Sequence, residues 1–177
     1  MTAGERRARL SRPAALKPGH DITTFYCGRP ELTSWLQEWG RRASENDTAR
    51  TCVVCRGTKK VVAYFSLAAG AVYHLDQETN ERVPRSLRQN SPDPIPVIVL
   101  GRLAVDKREQ GRKLGSALVS EAIRRSAQAA RLVGARALLV HALDESLVAY
   151  YQSLGFIRFS PASKTLYLLM KTIRDGL

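Results

Sequence analysis

The chain has 177 residues, 44% apolar and 25% charged, the size and composition of one globular domain. Its 28 Lys and Arg against 16 Asp and Glu give a net charge of +12, which favours anionic partners and is silent on fold. No uncharged stretch reaches the ~18 residues of a membrane span. No apolar run behind Met1 marks a secretory signal, and three cysteines cannot close a disulfide framework. The expectation is a single cytoplasmic domain over residues 1–177, with no membrane association and no metal.

In chain order, residues 1–20 read as a loosely ordered basic lead-in carrying Arg6, Arg7, Arg9, Arg12 and Lys17. A helix is predicted from Arg29-Pro30-Glu31 onward, because Leu32, Trp35, Leu36 and Trp39 recur at helical spacing. Arg41 and Arg42 fall near its end, where cations suit the helix dipole. Residues 51–56 and 61–67 read as a strand pair joined by Gly57-Thr58-Lys59-Lys60. Cys52 and Cys55 have C-x-x-C spacing, but strand alternation points them to opposite faces, so they read as core and not as a metal or redox pair.

Residues 76–93 are polar, with Arg82, Arg85 and Arg88, and read as a loop or short helix. A long strand follows over 94–106, in which Gly101 suggests a bulge or a close backbone approach. A helix over 113–133 buries Leu114, Ala117, Leu118 and Ala122, and Gly134 stops it. Residues 137–142 are a short buried strand, and 144–154 a helix with Asp144 as N-cap and Gly155 as its stop. Closing strands are predicted at 156–159 and 166–171. The order implies an α/β (α+β) fold: a mixed, mostly antiparallel sheet flanked by helices.

Between the long strand and the long helix lies Asp106-Lys-Arg-Glu-Gln-Gly-Arg-Lys-Leu-Gly-Ser116. A strand end, a basic loop with two glycines and a helix start leave backbone N–H groups at the positive end of a helix dipole. Gly111 permits close backbone approach, and Arg112 and Lys113 add charge. A pyrophosphate is the ligand such a junction suits. It is neither a Walker loop nor a dinucleotide fingerprint.

Gln110-Gly-Arg-Lys-Leu-Gly115 resembles the Q/R-x-x-G-x-G/A loop of the GNAT superfamily of N-acetyltransferases, which cradles the pyrophosphate of acetyl-CoA. Asp144-Glu-Ser-Leu-Val-Ala-Tyr-Tyr-Gln-Ser-Leu-Gly-Phe156 resembles the same superfamily's N-x-x-A-x-x-x-Y-x-x-x-G-F signature. Three further patches begin at Phe25-Tyr-Cys-Gly-Arg-Pro, Tyr64-Phe-Ser-Leu and Gly101-Arg-Leu-Ala-Val-Asp. Together they are similar to the GNAT toxins of bacterial toxin–antitoxin pairs, which acetylate the α-amine of aminoacyl-tRNA and stop translation.

The resemblance implies a GNAT fold and acetyl-CoA as co-substrate. It also implies aminoacyl-tRNA as acceptor and neutralisation by a ribbon-helix-helix antitoxin encoded nearby. Related toxins are often dimers, so a homodimer belongs to the same expectation. Carried over by position, Gln110, Gly111, Arg112, Lys113, Leu114, Gly115 and Ser116 bind the pyrophosphate. Leu103, Ala104 and Val105 pair their backbone with the pantetheine arm, and Asp144 contacts the cofactor. Tyr151 is the general acid that protonates the leaving thiolate.

Two departures stand out: Lys113 where the family has Gly, and Asp144 where many members have Asn. Diffuse arginines, with Arg41, Arg42, Arg85 and Arg88 singled out and Arg124, Arg125 and Arg131 beside them, are candidates for RNA phosphates. His141, His20, His74 and Cys27 read first as structural residues, since no partner for catalysis is visible. Two alternatives stay open: an acetyltransferase for small amines or protein N-termini, and a catalytically silent RNA-binding module.

Overall fold

A computed structural model describes residues 8–176. Seven strands, β1 (Ala14–Ala15), β2 (Arg50–Arg56), β3 (Lys60–Val72), β4 (Ile95–Val105), β5 (Ala137–His141), β6 (Ile157–Arg158) and β7 (Thr165–Leu169), form one sheet in the order β1-β2-β3-β4-β5-β7-β6. Six helices accompany them: α1 (Pro30–Glu38), α2 (Gly40–Glu45), α3 (Arg85–Arg88), α4 (Leu114–Val133), α5 (Glu145–Ser153) and α6 (Met170–Gly176). β4 and β5 run parallel, from Val97 opposite Ala137 to Leu100 opposite Val140, with α4 as their crossover. The β1–β2, β2–β3, β5–β7 and β6–β7 pairs are antiparallel. The mixed, mostly antiparallel sheet expected from the sequence is present.

Packing groups the described chain into two compact units, one of residues 8–67 and 102–122, the other of 68–101 and 123–176. In the first, Leu16, Phe25, Leu36, Val53, Val61, Tyr64 and Ala104 build the core. Its aromatic centre is ordered. Tyr64 meets Phe25 edge-on at 5.5 Å, Trp35 stacks on Tyr64 at 5.8 Å, and Arg102 lies over the Trp35 ring at 5.7 Å. The Tyr64 hydroxyl donates to the Leu32 carbonyl at 2.6 Å, and burial pushes its pKa well up. The three sequence patches that resemble the GNAT toxins are therefore one packing unit, each supplying a ring or a cation to the same stack.

In the second unit, Val83, Leu87, Ile95, Val97, Ala137, Leu139 and Tyr167 form the core on one sheet face. β3 reaches it through Gly70, where an added Cβ would sit 2.6 Å from Val99 Cγ2. Only a glycine fits there.

Several boundaries differ from expectation, each for a local reason. Residues 8–20 are not a loose lead-in: Ala14 pairs with Val53 and Ala15 with Cys52, while Leu16 enters the core. A two-residue edge strand is too short to show a period. Residues 1–7, with Arg6 and Arg7, lie outside the described residues. The first helix breaks at Trp39, and Gly40 opens α2 with space for Leu36 and Leu16, 3.2 and 3.3 Å from where its Cβ would be. Trp39, placed on the buried stripe by spacing, is 53% exposed because the break turns it outward. The last strand ends at Leu169, and Met170 and Ile173, three apart, bury one side of α6.

Candidate active site

Val105 ends β4 and Leu114 opens α4, and the eight residues between them form the candidate phosphate loop. Gly111 has φ +77°, and a Cβ built on it would meet nothing within 4 Å, so this corner is open to a ligand. Lys113 has φ +61°, a left-handed conformation that a β-carbon disfavours. The turn demands this conformation whichever residue fills it, and glycine adopts it without strain. The Lys113 carbonyl accepts from the Ala117 N–H at 3.2 Å, the first bond of α4. The amides of Leu114 and Gly115 precede that bond and have no carbonyl behind them within the helix. With Arg112 and Lys113 exposed beside them, the junction fits a pyrophosphate.

The loop is held from beneath. Gln110 Nε2 donates to the carbonyls of Cys27 and Val105, both at 2.9 Å, so its side chain ties the loop to β4 and to the Phe25–Pro30 segment. With both side-chain N–H donors so engaged, its backbone N–H is the donor left for a phosphate. Asp106, 1% exposed, accepts from the Tyr26 N–H at 3.1 Å and from Arg108 Nε and Nη2 at 2.7 Å each. The Lys107 N–H donates to the Tyr26 carbonyl at 2.8 Å. Glu109, 3% exposed, receives Arg56 in a two-pronged pair at 2.6 and 2.7 Å, and Arg112 Nη1 at 3.1 Å.

Both buried carboxyls titrate below their ordinary range. Burial alone would raise Asp106; the Arg108 side chain, with the Arg108 and Tyr26 amides, outweighs it. Arg56 hydrogen bonds hold Glu109 down against its burial. Carboxyls depressed in the folded state contribute stability above their unfolded values, near pH 4, and lose it as pH falls through the folded ones. The melting temperature is therefore expected to fall as pH drops below about 4. Asp106→Asn should flatten that dependence in a pH series followed by circular dichroism.

Tyr151 lies on α5, 8% exposed, its ring edge-on to Phe156 at 5.5 Å and to Tyr150 at 5.4 Å. Its hydroxyl makes no hydrogen bond with the described residues, and burial, with Tyr150 beside it, pushes its pKa up to about 12. It is a protonated donor throughout the neutral range. Asp144 caps α5: its Oδ1 accepts from the Leu147 N–H at 3.0 Å and from Ser146 Oγ at 2.6 Å. This is the N-cap role expected from the sequence. Of the β4 residues, Ala104 points its side chain into the core, while Leu103 and Val105, on the other face, are half-buried.

The arginines singled out for RNA have unequal standing. Arg41 Nη2 donates to the carbonyls of His20 at 2.6 Å and Pro18 at 3.1 Å, which ties it to the 18–20 segment. Arg42 stands over the Trp39 ring at 5.7 Å. Arg88 Nε donates to the Val83 carbonyl at 3.2 Å, and Arg85 is exposed on α3. Cys27, Cys52 and Cys55 are free and buried, and burial pushes the Cys55 thiol up. No cluster of metal-ligating side chains occurs among the described residues. Sequence reasoning missed the Arg56–Glu109–Arg112 support, since nothing in spacing links positions 56 and 109.

Comparison with known proteins gives three kinds of match. The acetyltransferase (GNAT) family model matches residues 19–156. A "tRNA-acetylating toxin" of Mycobacterium tuberculosis (strain ATCC 25618 / H37Rv) is 42% identical over 165 residues, 93% of this chain and 95% of the relative. Among solved structures, AtaT complexed with acetyl-methionyl-tRNAfMet superposes with a TM-score of 0.83 at 28% identity, covering 95% of this chain and 99% of AtaT. A tyrosine-to-phenylalanine mutant of AtaT, bound to the C-terminus of the antitoxin AtaR and acetyl-CoA, superposes with a TM-score of 0.77. That match has 28% identity and covers 94% and 97% of the two chains.

Proposed function

Because the chain belongs to the acetyltransferase (GNAT) family, we propose that it moves acetyl from acetyl-CoA to the free α-amine of aminoacyl-tRNA, as a toxin that blocks translation. The observation that carries this reading is the 42% identity, over 93% of the chain, to a tRNA-acetylating toxin. The net charge of +12 supports a polyanionic acceptor, which a small amine or a protein N-terminus leaves unexplained. A cognate antitoxin of the ribbon-helix-helix type, a homodimer and a cytoplasmic location complete the proposal. No described helix is long and apolar enough to cross a membrane.

Acetyl-CoA supplies an activated thioester, and the protein's residues bind it and manage protons. The amides of Gly111 to Ser116, with Arg112 and Lys113, take the pyrophosphate; the backbone of Leu103–Val105 lines the pantetheine arm. The α-amine of an aminoacyl ester titrates near or below ~7.7–8.0, so a useful fraction is neutral and no strong base is required. Tyr151 donates its proton toward the departing sulfur. Arg41, Arg42, Arg85 and Arg88 are the phosphate contacts of this reading.

The test is transfer of labelled acetyl from acetyl-CoA to a pool of charged tRNAs, with uncharged tRNA as control. Label on the aminoacyl group supports the reading. Label on neither, with acetyl-CoA bound, moves the acceptor to small amines or proteins. Lys113→Gly keeps the left-handed turn and removes a cation, so acetyl-CoA affinity is expected to weaken about 3- to 10-fold by calorimetry. Unchanged or tighter binding would take the Lys113 side chain off the phosphates.

A further inference from the structure

The second unit contains a cavity of about 250 Å³ that none of the assignments above uses. Val99, Leu139 and Phe159 give it apolar walls, His141 and Thr165 a polar edge, and Asp76 and Glu78 its only formal charges. We infer that this cavity receives the amino-acid side chain of the acceptor and sets which aminoacyl-tRNA is taken. The inference rests on the aminoacyl-tRNA reading above.

Position is the first argument. β4 and β5 are parallel neighbours, and β5 ends at His141 while β4 continues to Val105. The cavity walls Leu139 and His141 lie in the carboxyl half of β5. Leu139 and His141 alternate onto one face of β5, and Val99 lies opposite Leu139 on β4.

Size and chemistry are the second. Mostly apolar walls with a few polar groups make a ligand pocket, but ~300–1,000 Å³ is usual for drug-sized molecules. A smaller space suits a side chain and excludes a nucleotide. His141 Nδ1 is paired with Thr165 Oγ1 at 2.8 Å, which fixes the ring and leaves Nε2 for a ligand. Asp76 turns its carboxylate back on its own loop, accepting from the Glu78 N–H at 3.0 Å and Thr79 Oγ1 at 3.2 Å. The Glu78 carboxylate makes no such bond with the described residues. Two acidic groups in a chain of net charge +12 attract an ammonium and repel an anionic side chain. The class taken is therefore an aminoacyl ester with an apolar side chain, anionic ones being excluded.

Val99 sets the depth. The β3 backbone is pressed against it at Gly70, so the wall cannot retreat when residue 99 grows.

The experiment measures kcat/KM of the full-length protein for a panel of charged tRNAs: glycyl, alanyl, methionyl, leucyl, aspartyl and glutamyl. Val99→Phe should lower the larger apolar acceptors relative to glycyl by about 10-fold or more, the scale of misfit in an apolar pocket. Should that variant fail to fold, Glu78→Lys, on the exposed loop, carries the test. It should raise aspartyl and glutamyl acceptors relative to the rest by several-fold, with acetyl-CoA affinity unchanged. Wild-type transfer to charged tRNA with an unaltered panel in the folded variants overturns the pocket and spares the aminoacyl-tRNA reading. No wild-type transfer to any charged tRNA overturns both.

Discussion

Tyr151→Phe is expected to lower kcat by about 100- to 10,000-fold, the usual range for loss of a general acid. Acetyl-CoA affinity and melting temperature should be almost unchanged. The ring is what packs: its edge-on contacts with Phe156 and Tyr150 survive the substitution, and the hydroxyl has no partner among the described residues to leave unsatisfied. The whole effect should therefore fall on the proton-donating step. In single-turnover assays the variant should bind acetyl-CoA normally and fail at transfer. Near-normal turnover would mean that water or another group protonates the thiolate.

The pH profile gives a second, independent reading of the same residue. With a pKa pushed up to about 12, Tyr151 keeps its proton well past neutrality. The acceptor α-amine must instead lose one, near pH 7.7–8.0 or below. Activity of the wild type should thus rise to about pH 8 and stay level to about pH 10, with no alkaline limb from the tyrosine. An alkaline limb near pH 8 that disappears in Tyr151→Phe would contradict this assignment.

Much of this was legible in the chain because its strongest signals are local. The glycines and cations of residues 110–116, the D-x-x-L-x-x-x-Y helix and the stop at Gly155 all act within one strand–loop–helix step. The Lys113 departure was visible as a letter; only the backbone shows that the position needs positive φ. What the sequence hid is what depends on distant pairs. Arg41 looks like any surface arginine until the His20 and Pro18 carbonyls are brought beneath it. The acceptor cavity is assembled from β3, β4, β5 and the 73–78 loop, none of which carries a motif for it.

Glu109→Ala should be the most damaging single change away from the reacting atoms. It leaves Arg56, whose side chain is 9% exposed, without its carboxylate, and uncompensated buried charge costs about 3–5 kcal/mol. For a chain of this size that corresponds to a drop of about 10 °C or more in Tm. The phosphate loop should suffer beyond the global loss, because Arg112 loses the same anchor at 3.1 Å. KM for acetyl-CoA is therefore expected to rise even at temperatures where the variant is folded. The double change Arg56→Met with Glu109→Leu separates the two effects. Removing both charges should restore most of the stability. Acetyl-CoA affinity should stay low, since Arg112 is still unanchored. If Glu109→Ala melts within a degree or two of wild type, the pair is not what holds the loop. If the double variant recovers affinity together with stability, the loop needs only a packed base and not the carboxylate itself.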